Sequence, residues 1–245
     1  SLLERRSVLK REYDHSTGEM TQPSRQSPKD VLLISGLHAL ADSSLCERFD
    51  ARVFLAMDER TRRALKIRRD VLSRGSSIAE TNRALDKRAV DAERFVVPQK
   101  KKADIVFILT AICEEKLKQA ESGAGDPSEV FDMTLSVGVR NLEQASDLRT
   151  LLAAITGVHI YATEEDLDLY WFRVEQSVEV SKEAICIASS VIAPAMREFV
   201  ALEPKWHSGL LGIMQLVVIQ QVMRHRNLPT RINEGTYESS TVTIS

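Results

Sequence analysis

Residues 52–58 read RVFLAMD, a short apolar run that ends at an aspartate. A continuous apolar run of this length is typical of a strand that is buried on both faces, as in a parallel sheet. Asp58 is a good N-cap for a helix, and Gly75 is a good C-terminal stop. The segment therefore predicts a strand followed by a helix that reaches about Arg74.

Two more apolar runs, Val31–Ile34 and Ala103–Leu109, have the same character as the first. A second helix is predicted between Ser77 and about Phe95. Strands that alternate with helices at this spacing indicate an α/β fold with a mostly parallel sheet and flanking helices. We assign residues 1–120 to this core.

The pattern changes after residue 120. A Gly/Pro/Ser-rich linker reads ESGAGDPS over 121–128, and apolar residues then alternate strictly from Phe131 to Val139, the period of a half-buried strand. The strands predicted after it are closely spaced, which favours antiparallel pairing, so we assign 121–245 to a C-terminal α+β region with closing helices. The remaining predicted elements are a loop over 13–29, helices over 141–155, 190–202 and 207–226, and strands over 158–162, 167–174 and 178–187.

Composition excludes several classes of protein. The chain has 245 residues, 43% of them hydrophobic, and a net charge of −2, which argues against a polybasic nucleic-acid or membrane-surface protein. Cys46, Cys113 and Cys186 are far apart and lack paired histidines, which excludes a disulfide scaffold and a zinc module. No apolar run reaches the roughly 18 residues of a membrane span. We therefore expect a cytoplasmic protein with no membrane partner.

Positive charge is concentrated between Asp58 and Asp104, a segment that contains 14 Lys/Arg and 8 Asp/Glu residues. In the predicted helix, Arg62, Lys66 and Arg69 fall within roughly 60° of one another at about 100° per residue, and Arg74 extends the charge to the helix end. Cationic groups beside a flexible glycine suit a lid that closes over a polyphosphate during phosphoryl transfer. An ordinary exposed helix face is the alternative interpretation of the same spacing.

Four segments occur in order along the first 104 residues: YDHSTG at 13–18, LLISGLHA at 32–39, KIRRD at 66–70 followed by Arg74-Gly75, and FVVPQKKKAD at 95–104. This series resembles the phosphoribulokinase/uridine kinase family of P-loop phosphotransferases, from Tyr13 to about Leu109. The resemblance implies a P-loop-kinase-like fold and ATP-dependent phosphoryl transfer to a hydroxyl of a sugar phosphate or nucleoside. It also implies Mg²⁺ as the ion that bridges the nucleotide phosphates.

The resemblance implies roles for residues at matching positions. The family's YDHSTG-like loop lies near the phosphate acceptor, which implies substrate-binding roles for Tyr13, Asp14 and His15. Their phenol, carboxylate and imidazole groups can hydrogen-bond sugar hydroxyls.

Two further sets of residues match the family. Its basic lid contacts nucleotide and substrate phosphates, and the matching cations, which we assign as catalytic, are Lys66, Arg69 and Arg74. Its segment leading into the next strand lies near the adenine, which implies cofactor-binding roles for Lys100 and Asp104. A purely structural role is the alternative for these last two. No metal ligand is assigned.

The sequence departs from the family's pattern in two places. It contains no GxxxxGK[ST] run, whose backbone amides would hold the nucleotide phosphates. In the family that run lies upstream of the YDHSTG-like loop, together with the general base, so we expect this chain to begin after that portion. The second departure is Ser35, because the family has a glutamate there that helps to organise Mg²⁺, and serine lacks its charge.

Three interpretations follow from these observations. The first, our main hypothesis, is part of an active small-molecule kinase whose P-loop lies in an upstream domain of the same polypeptide. The second is a degenerate, non-catalytic relative that acts in binding or oligomerisation. The third is an α/β domain that binds nucleic acid through its basic helix, and it fits worst because the basic block lacks interleaved aromatics. The sequence is compatible with a homo-oligomer.

Overall fold

The computed structural model describes residues 4–14, 17–29, 31–126, 131–163, 168–176, 179–192 and 204–227. Its strands are β1 (Val8–Lys10), β2 (Tyr13–Asp14), β3 (Glu19–Met20), β4 (Ser24–Gln26), β5 (Val53–Met57), β6 (Ile105–Ala111), β7 (Met133–Val139), β8 (Val158–Thr163) and β9 (Tyr170–Gln176). Its α-helices are α1 (Ser43–Cys46), α2 (Glu59–Arg74), α3 (Ile78–Asp91), α4 (Glu114–Glu121), α5 (Leu142–Ala153), α6 (Lys182–Ala188) and α7 (Gly209–Asn227). A π-helical turn (Ala92–Val96) and a 3₁₀ helix (Val97–Lys102) follow α3 directly.

One mixed sheet carries the core, with the strand order β5-β6-β7-β9-β8. Strands β5 and β6 are parallel, whereas the other three pairs are antiparallel. The chain leaves β6, forms α4 and enters β7 at the same end of the sheet. It therefore does not cross the sheet, and the two strands pair antiparallel. The predicted α/β class is confirmed, but the sheet is mixed rather than mostly parallel.

Side chains along each strand alternate between the two faces of the sheet. The larger core lies between one face and helices α5 and α7, and the sheet contributes to it Ile105, Phe107, Leu135, Val137 and Val174. On the opposite face, Val106 and Trp171 bury Leu40 from the segment before β5. A third, smaller cluster packs α2 on α4 near the end of β6.

The predicted strand over Val31–Ile34 is wrong. These residues form no strand, and their side chains are 41% to 81% exposed. An apolar run becomes a buried strand only where another strand pairs with it, and β5 is an edge strand that pairs only with β6 among the described strands.

The loop predicted over 13–29 is instead an antiparallel hairpin in its described part. Strand β1 pairs with β4, and β2 pairs with β3. Gly18 makes the tight return between β2 and β3, with a φ of +75° and a backbone N–H that donates to the carbonyl of Asp14 at 2.8 Å. A left-handed residue of this kind favours glycine.

The C-terminal predictions had mixed outcomes. The strand predicted over 178–187 is wrong, because Ser181 caps helix α6 by accepting a hydrogen bond from the backbone N–H of Ala184. An apolar run of that length suits either structure, and the cap decides. Helices α5 and α7 and strands β8 and β9 confirm the other described elements, while most of the helix predicted over 190–202 lies outside the described residues.

The sheet continues across the predicted boundary at residue 120. Strands β6 and β7 pair along seven residues, from Ile105 opposite Val139 to Ala111 opposite Met133. The division into 1–120 and 121–245 stays a prediction. In the described part of the chain, no helix combines the length and the apolar character needed to cross a bilayer.

Candidate functional site

Helix α2 begins at the carboxyl ends of the two parallel strands. Its N-cap Asp58 accepts a hydrogen bond from the backbone N–H of Thr61 at 3.0 Å, and the backbone N–H of Asp58 donates to the carbonyl of Leu109 in β6. The buried hydroxyl of Thr61 accepts from the N–H of Ala111 at 3.0 Å. The first turn of α2 is therefore fixed to both strands, at the sheet edge where α/β proteins usually bind ligands.

The other end of α2 finishes in a left-handed (αL) C-cap at Gly75, which has a φ of +68°. The backbone N–H of Ser76 donates to the carbonyl of Asp70 at 3.0 Å, and that of Gly75 donates to the carbonyl of Val71 at 3.2 Å. The helix end predicted at Gly75 is confirmed, since this left-handed backbone favours glycine.

The three predicted catalytic cations converge on one carboxylate, that of Asp70. The Nζ of Lys66 lies 2.8 Å from Oδ2, the Nη2 of Arg69 lies 2.9 Å from Oδ1, and the Nη1 of Arg74 lies 3.3 Å from Oδ1. The Asp70 side chain is 11% exposed, whereas those of Arg69 and Arg74 are 51% and 60% exposed. Three positive charges thus share one negative charge, and we call these four residues the Asp70 cluster.

The Asp70 carboxyl is charged at neutral pH. Burial alone would raise its pKa, but hydrogen bonds from Lys66 and Arg69 outweigh burial and hold the pKa below its ordinary value. The carboxylate therefore orients the three cations without neutralising them all.

Arginines in the first half of α2 are paired with carboxylates on the neighbouring helices. Arg60 donates to Glu114 and Glu121 of α4 at 2.7 and 2.8 Å, and these bonds raise the pKa of its guanidinium. Arg63 donates to Asp86 of α3 at 2.8 Å. These two arginines therefore connect α2 to helices α4 and α3.

Arg62 differs from the cations of the Asp70 cluster, although the sequence places it on the same side of the helix. It makes two hydrogen bonds of 2.8 Å to Glu59, one turn earlier in α2. Because Arg62 has a carboxylate of its own, the excess positive charge of the helix lies in its second half, at Lys66, Arg69 and Arg74.

Arg68 is a buried cation that sequence reasoning missed. It is 9% exposed, its guanidinium carbon lies 4.6 Å from the centroid of the Phe131 ring, and its Nη1 has no hydrogen-bond partner. The available signal was spacing, because Arg68 lies four residues after Ala64 and so on the apolar side of the helix. Its contact with Phe131 packs α2 against the segment before β7.

Lys100 and Asp104, predicted to bind the cofactor, lie before β6, at the opposite end of the parallel strands from the start of α2. The carboxylate of Asp104 accepts two hydrogen bonds from the guanidinium of Arg52 at 2.6 and 3.0 Å. The Nζ of Lys100 lies 4.9 Å from the centroid of the Trp171 ring. The structure does not bring these residues together with the Asp70 cluster, and their cofactor-binding roles stay predictions.

The predicted acceptor-binding residues belong to the N-terminal hairpin. Tyr13 and Asp14 form β2, with Tyr13 opposite Met20 and its side chain 54% exposed. His15 lies outside the described residues. Their roles in substrate binding stay predictions.

Ser35 is exposed in the irregular segment after Val31–Ile34. The turn that follows it, residues 36–41, is fixed by a residue that sequence reasoning did not single out, Gln99. Its buried amide bonds to the backbone of Leu37 and Leu40. The only signal for Gln99 was its place inside the FVVPQKKKAD segment.

Comparisons with known proteins point to one family. The model of the "Phosphoribulokinase / Uridine kinase family" matches residues 1–113. The phosphoribulokinase of Synechocystis sp. is 33% identical over 112 residues, which cover 45% of this chain and 34% of that protein. The uridine kinase of Lactococcus lactis subsp. lactis is 31% identical over 97 residues, which cover 39% of this chain and 47% of that protein. The chain thus matches between a third and a half of the length of these relatives.

The fold comparison extends beyond the matched sequence. A solved structure of phosphoribulokinase from Rhodobacter spheroides covers 91% of this chain and 69% of its own, with a TM-score of 0.57 and 16% identity. That match shows the fold, and it confirms the P-loop-kinase-like α/β architecture. With the family match and the relatives at 31% to 33% identity, it leads to one conclusion: residues 1–113 of this chain are similar in sequence to the phosphoribulokinase/uridine kinase family, and the chain shares the fold of a phosphoribulokinase.

Proposed function

We propose that this chain is part of an ATP-dependent phosphotransferase that acts on a hydroxyl of a sugar phosphate or a nucleoside. The observation that carries the proposal is the Asp70 cluster, in which Lys66, Arg69 and Arg74 share a single carboxylate. The family match of residues 1–113 supports the same class of reaction. The YDHSTG and GLH segments favour a sugar phosphate, since they resemble the phosphoribulokinase branch.

The proposed chemistry needs positive charge beside the transferring phosphoryl group. Negative charge is spread over the phosphoryl oxygens as the group moves, and fixed cations stabilise that arrangement. Lys66 is 19% exposed and held at 2.8 Å by Asp70, so its charge is in place before a ligand binds. Arg69 and Arg74 are more exposed and can donate paired N–H groups to phosphate oxygens.

The two expected cofactors fit the described residues unequally. The phosphates of ATP fit the Asp70 cluster, because its excess charge is positive and its guanidinium groups are accessible. For Mg²⁺, the described residues contain no group of three or more Asp, Glu, His or Cys side chains that could hold a metal ion. Ser35 also stands where the family has a glutamate. The proposed roles of this chain are therefore phosphate binding by the cluster and acceptor binding by Tyr13, Asp14 and His15.

Ser35 favours a second candidate function, that of a non-catalytic relative that binds the same small molecules without turnover. A hydroxyl in place of a carboxylate lowers the affinity of a site for Mg²⁺, which prefers charged oxygen ligands. The two candidates differ in turnover and in their response to a restored carboxylate.

The test is an assay of ATP-dependent phosphorylation by the full-length gene product, with ribulose 5-phosphate, uridine and cytidine as separate acceptors. Turnover of one acceptor is expected, with a higher rate after Ser35→Glu. Absence of turnover with every acceptor, in the wild type and in Ser35→Glu, contradicts the proposed phosphotransferase activity and favours the non-catalytic relative.

A narrower test addresses the Asp70 cluster. Arg69→Ala is expected to lower kcat about 100-fold, as does the loss of one donor to a transition-state oxygen in other enzymes. Arg62→Ala is the matched control, because it removes the same side chain from the same helix but from a pair with Glu59. A rate in Arg69→Ala equal to that of Arg62→Ala removes the lid assignment.

A further inference from the structure

The side chain of Gln99 is buried in the 3₁₀ helix between α3 and β6, with the residue 4% exposed. Its amide oxygen accepts a hydrogen bond from the backbone N–H of Leu40 at 3.0 Å. Its amide nitrogen donates to the carbonyls of Leu37 at 3.1 Å and Phe95 at 2.7 Å. Both N–H donors of the amide are used, and the reverse orientation would set its oxygen against two carbonyls.

The three backbone partners of Gln99 come from two segments that are remote in sequence. Leu37 and Leu40 belong to the turn over residues 36–41 that follows Ser35. Phe95 belongs to the π-helical turn by which the chain leaves the α2–α3 unit. The amide of Gln99 therefore bonds the turn after Ser35 to the exit of the unit that carries the Asp70 cluster.

The same 3₁₀ helix holds the turn at a second point. The Nζ of Lys102 donates to the carbonyl of Ala41 at 2.6 Å and to the hydroxyl of Ser43 at 3.0 Å. Lys102 is exposed, so it contributes less than a buried group would. Gln99 is the buried member of this pair of attachments.

We propose that Gln99 is a positioning residue for phosphoryl transfer, which fixes the turn 36–41 and with it Ser35 and His38. This inference rests on the proposed function. The backbone around this side chain presents two carbonyl acceptors and one N–H donor, and the amide of a glutamine can bond to all three. A carboxylate would face two carbonyls at neutral pH, and an alkyl side chain would leave buried backbone groups unpaired, which destabilises the turn.

The experiment compares Gln99→Leu and Gln99→Glu with a matched control, Gln221→Leu. Gln221 is also 4% exposed, but it lies in α7 and accepts a hydrogen bond from Gln144. Two quantities are measured on the full-length gene product: hydrogen exchange at the backbone amides, and kcat and KM for the acceptor that the wild type turns over.

In Gln99→Leu, we expect exchange of the Leu40 amide to rise about tenfold or more, while the amide of Val106 in β6 changes little. We expect kcat to fall about tenfold or more, because small misplacements slow catalysis, with KM less affected. In Gln99→Glu, the exchange rate of the Leu40 amide and kcat should both return partly towards their wild-type values as the pH falls, because the carboxyl then gains a proton that it can donate. Gln221→Leu should alter exchange across the core without selecting Leu40, and should leave kcat unchanged.

Two results overturn the proposal. One is exchange at Leu40 that rises no more than at Val106 in Gln99→Leu, which means that Gln99 does not hold the turn. The other is faster exchange at Leu40 in Gln99→Leu together with a kcat equal to that of the wild type, which means that the position of the turn does not affect the reaction. A wild type that is inactive with every acceptor overturns the proposed function and, with it, the positioning role of Gln99 in catalysis. The exchange data still report separately on whether Gln99 holds the turn.

Discussion

Arg52 and Asp104 join the starts of the two parallel strands. The guanidinium of Arg52 donates to both carboxylate oxygens of Asp104, and its backbone N–H donates to the same carboxylate at 2.8 Å. The bond to Asp104 raises the pKa of Arg52. The Asp104 side chain is 12% exposed, so its charge is mostly removed from water.

We expect Asp104→Asn to lower the free energy of unfolding by about 1–3 kcal/mol, because it removes a mostly buried charge from a hydrogen-bonded pair. Urea unfolding measures the change. Lys10→Ala is the control, since its pair with Glu12 is exposed and should contribute less than about 1 kcal/mol. A variant with unchanged stability but weaker ATP binding would instead support the cofactor role of Asp104.

A substitution at Gly75 tests the left-handed C-cap of helix α2. Gly75→Ala is expected to cost about 1–2 kcal/mol, since a side chain at a φ of +68° is strained even though the space around it is open. Gly36→Ala is the matched control, because Gly36 also has open space but no left-handed backbone. Equal unfolding midpoints for the two variants would contradict the αL assignment at Gly75.

Gly138 tests the contact beneath Trp171. A Cβ at Gly138 would lie 3.0 Å from two atoms of the Trp171 ring, inside ordinary contact distance. Gly138→Ala should therefore displace the ring, lower the free energy of unfolding by about 1–3 kcal/mol, and change the tryptophan emission. The displacement should also disturb the contact of Lys100 with the ring. An emission spectrum and unfolding curve like those of the wild type would show that the ring is not packed on Gly138.

Acid should destabilise the fold through its ion-paired carboxyls. Hydrogen bonds from Arg62 and from Arg60 hold the pKa values of Glu59 and Glu114 below their ordinary range, and that of Asp70 is lowered as described above. A folded pKa below the unfolded one gives stability that is present above an unfolded pKa of about 4 and is lost as the pH falls through the folded values.

The Tm should therefore stay level from neutral pH to about pH 5 and fall steadily below about pH 4. Arg60→Met should make this acid-induced fall smaller, because the pKa of Glu114 then returns toward its ordinary value. The control is Lys118→Met, a more distant neighbour of the same carboxyl at 3.7 Å. A titration of Glu114 with the same midpoint in Arg60→Met and in the wild type would refute the pairing.

Sequence reasoning succeeded where the signal was local. The strand β5, the N-cap Asp58 and the stop Gly75 are each specified by residues within one turn of the feature, and all three elements are confirmed. The predicted burial of β5 on both faces is wrong, because β5 lies at an edge of the sheet and its Leu55 is 58% exposed. It failed at Val31–Ile34, because an apolar run forms a strand only with a partner strand that the run itself does not specify. The segment 178–187 is an exception, because a local signal was present there, the cap residue Ser181, and the strand prediction did not use it.

The candidate site was predictable in its residue types more than in its contacts. Helical spacing placed Lys66 and Arg69 on one side, but it also placed Arg62 there, and only the structure shows the separate pairing of Arg62 with Glu59. The spacing did not indicate that Asp70 would collect three cations, since that depends on side-chain rotamers. Gln99 could not be ranked from sequence, because two of its three backbone partners, Leu37 and Leu40, are about sixty residues away.

The exposed position of β5 has a consequence for handling the protein. Among the described strands, β5 has a neighbour on one side only, its Leu55 side chain is 58% exposed, and the apolar run Val31–Ile34 is exposed as well. Unpaired backbone groups beside exposed apolar side chains form a template for strand addition from another molecule. When this chain is prepared alone, its solubility should therefore be limited by edge-to-edge association rather than by loss of the folded state.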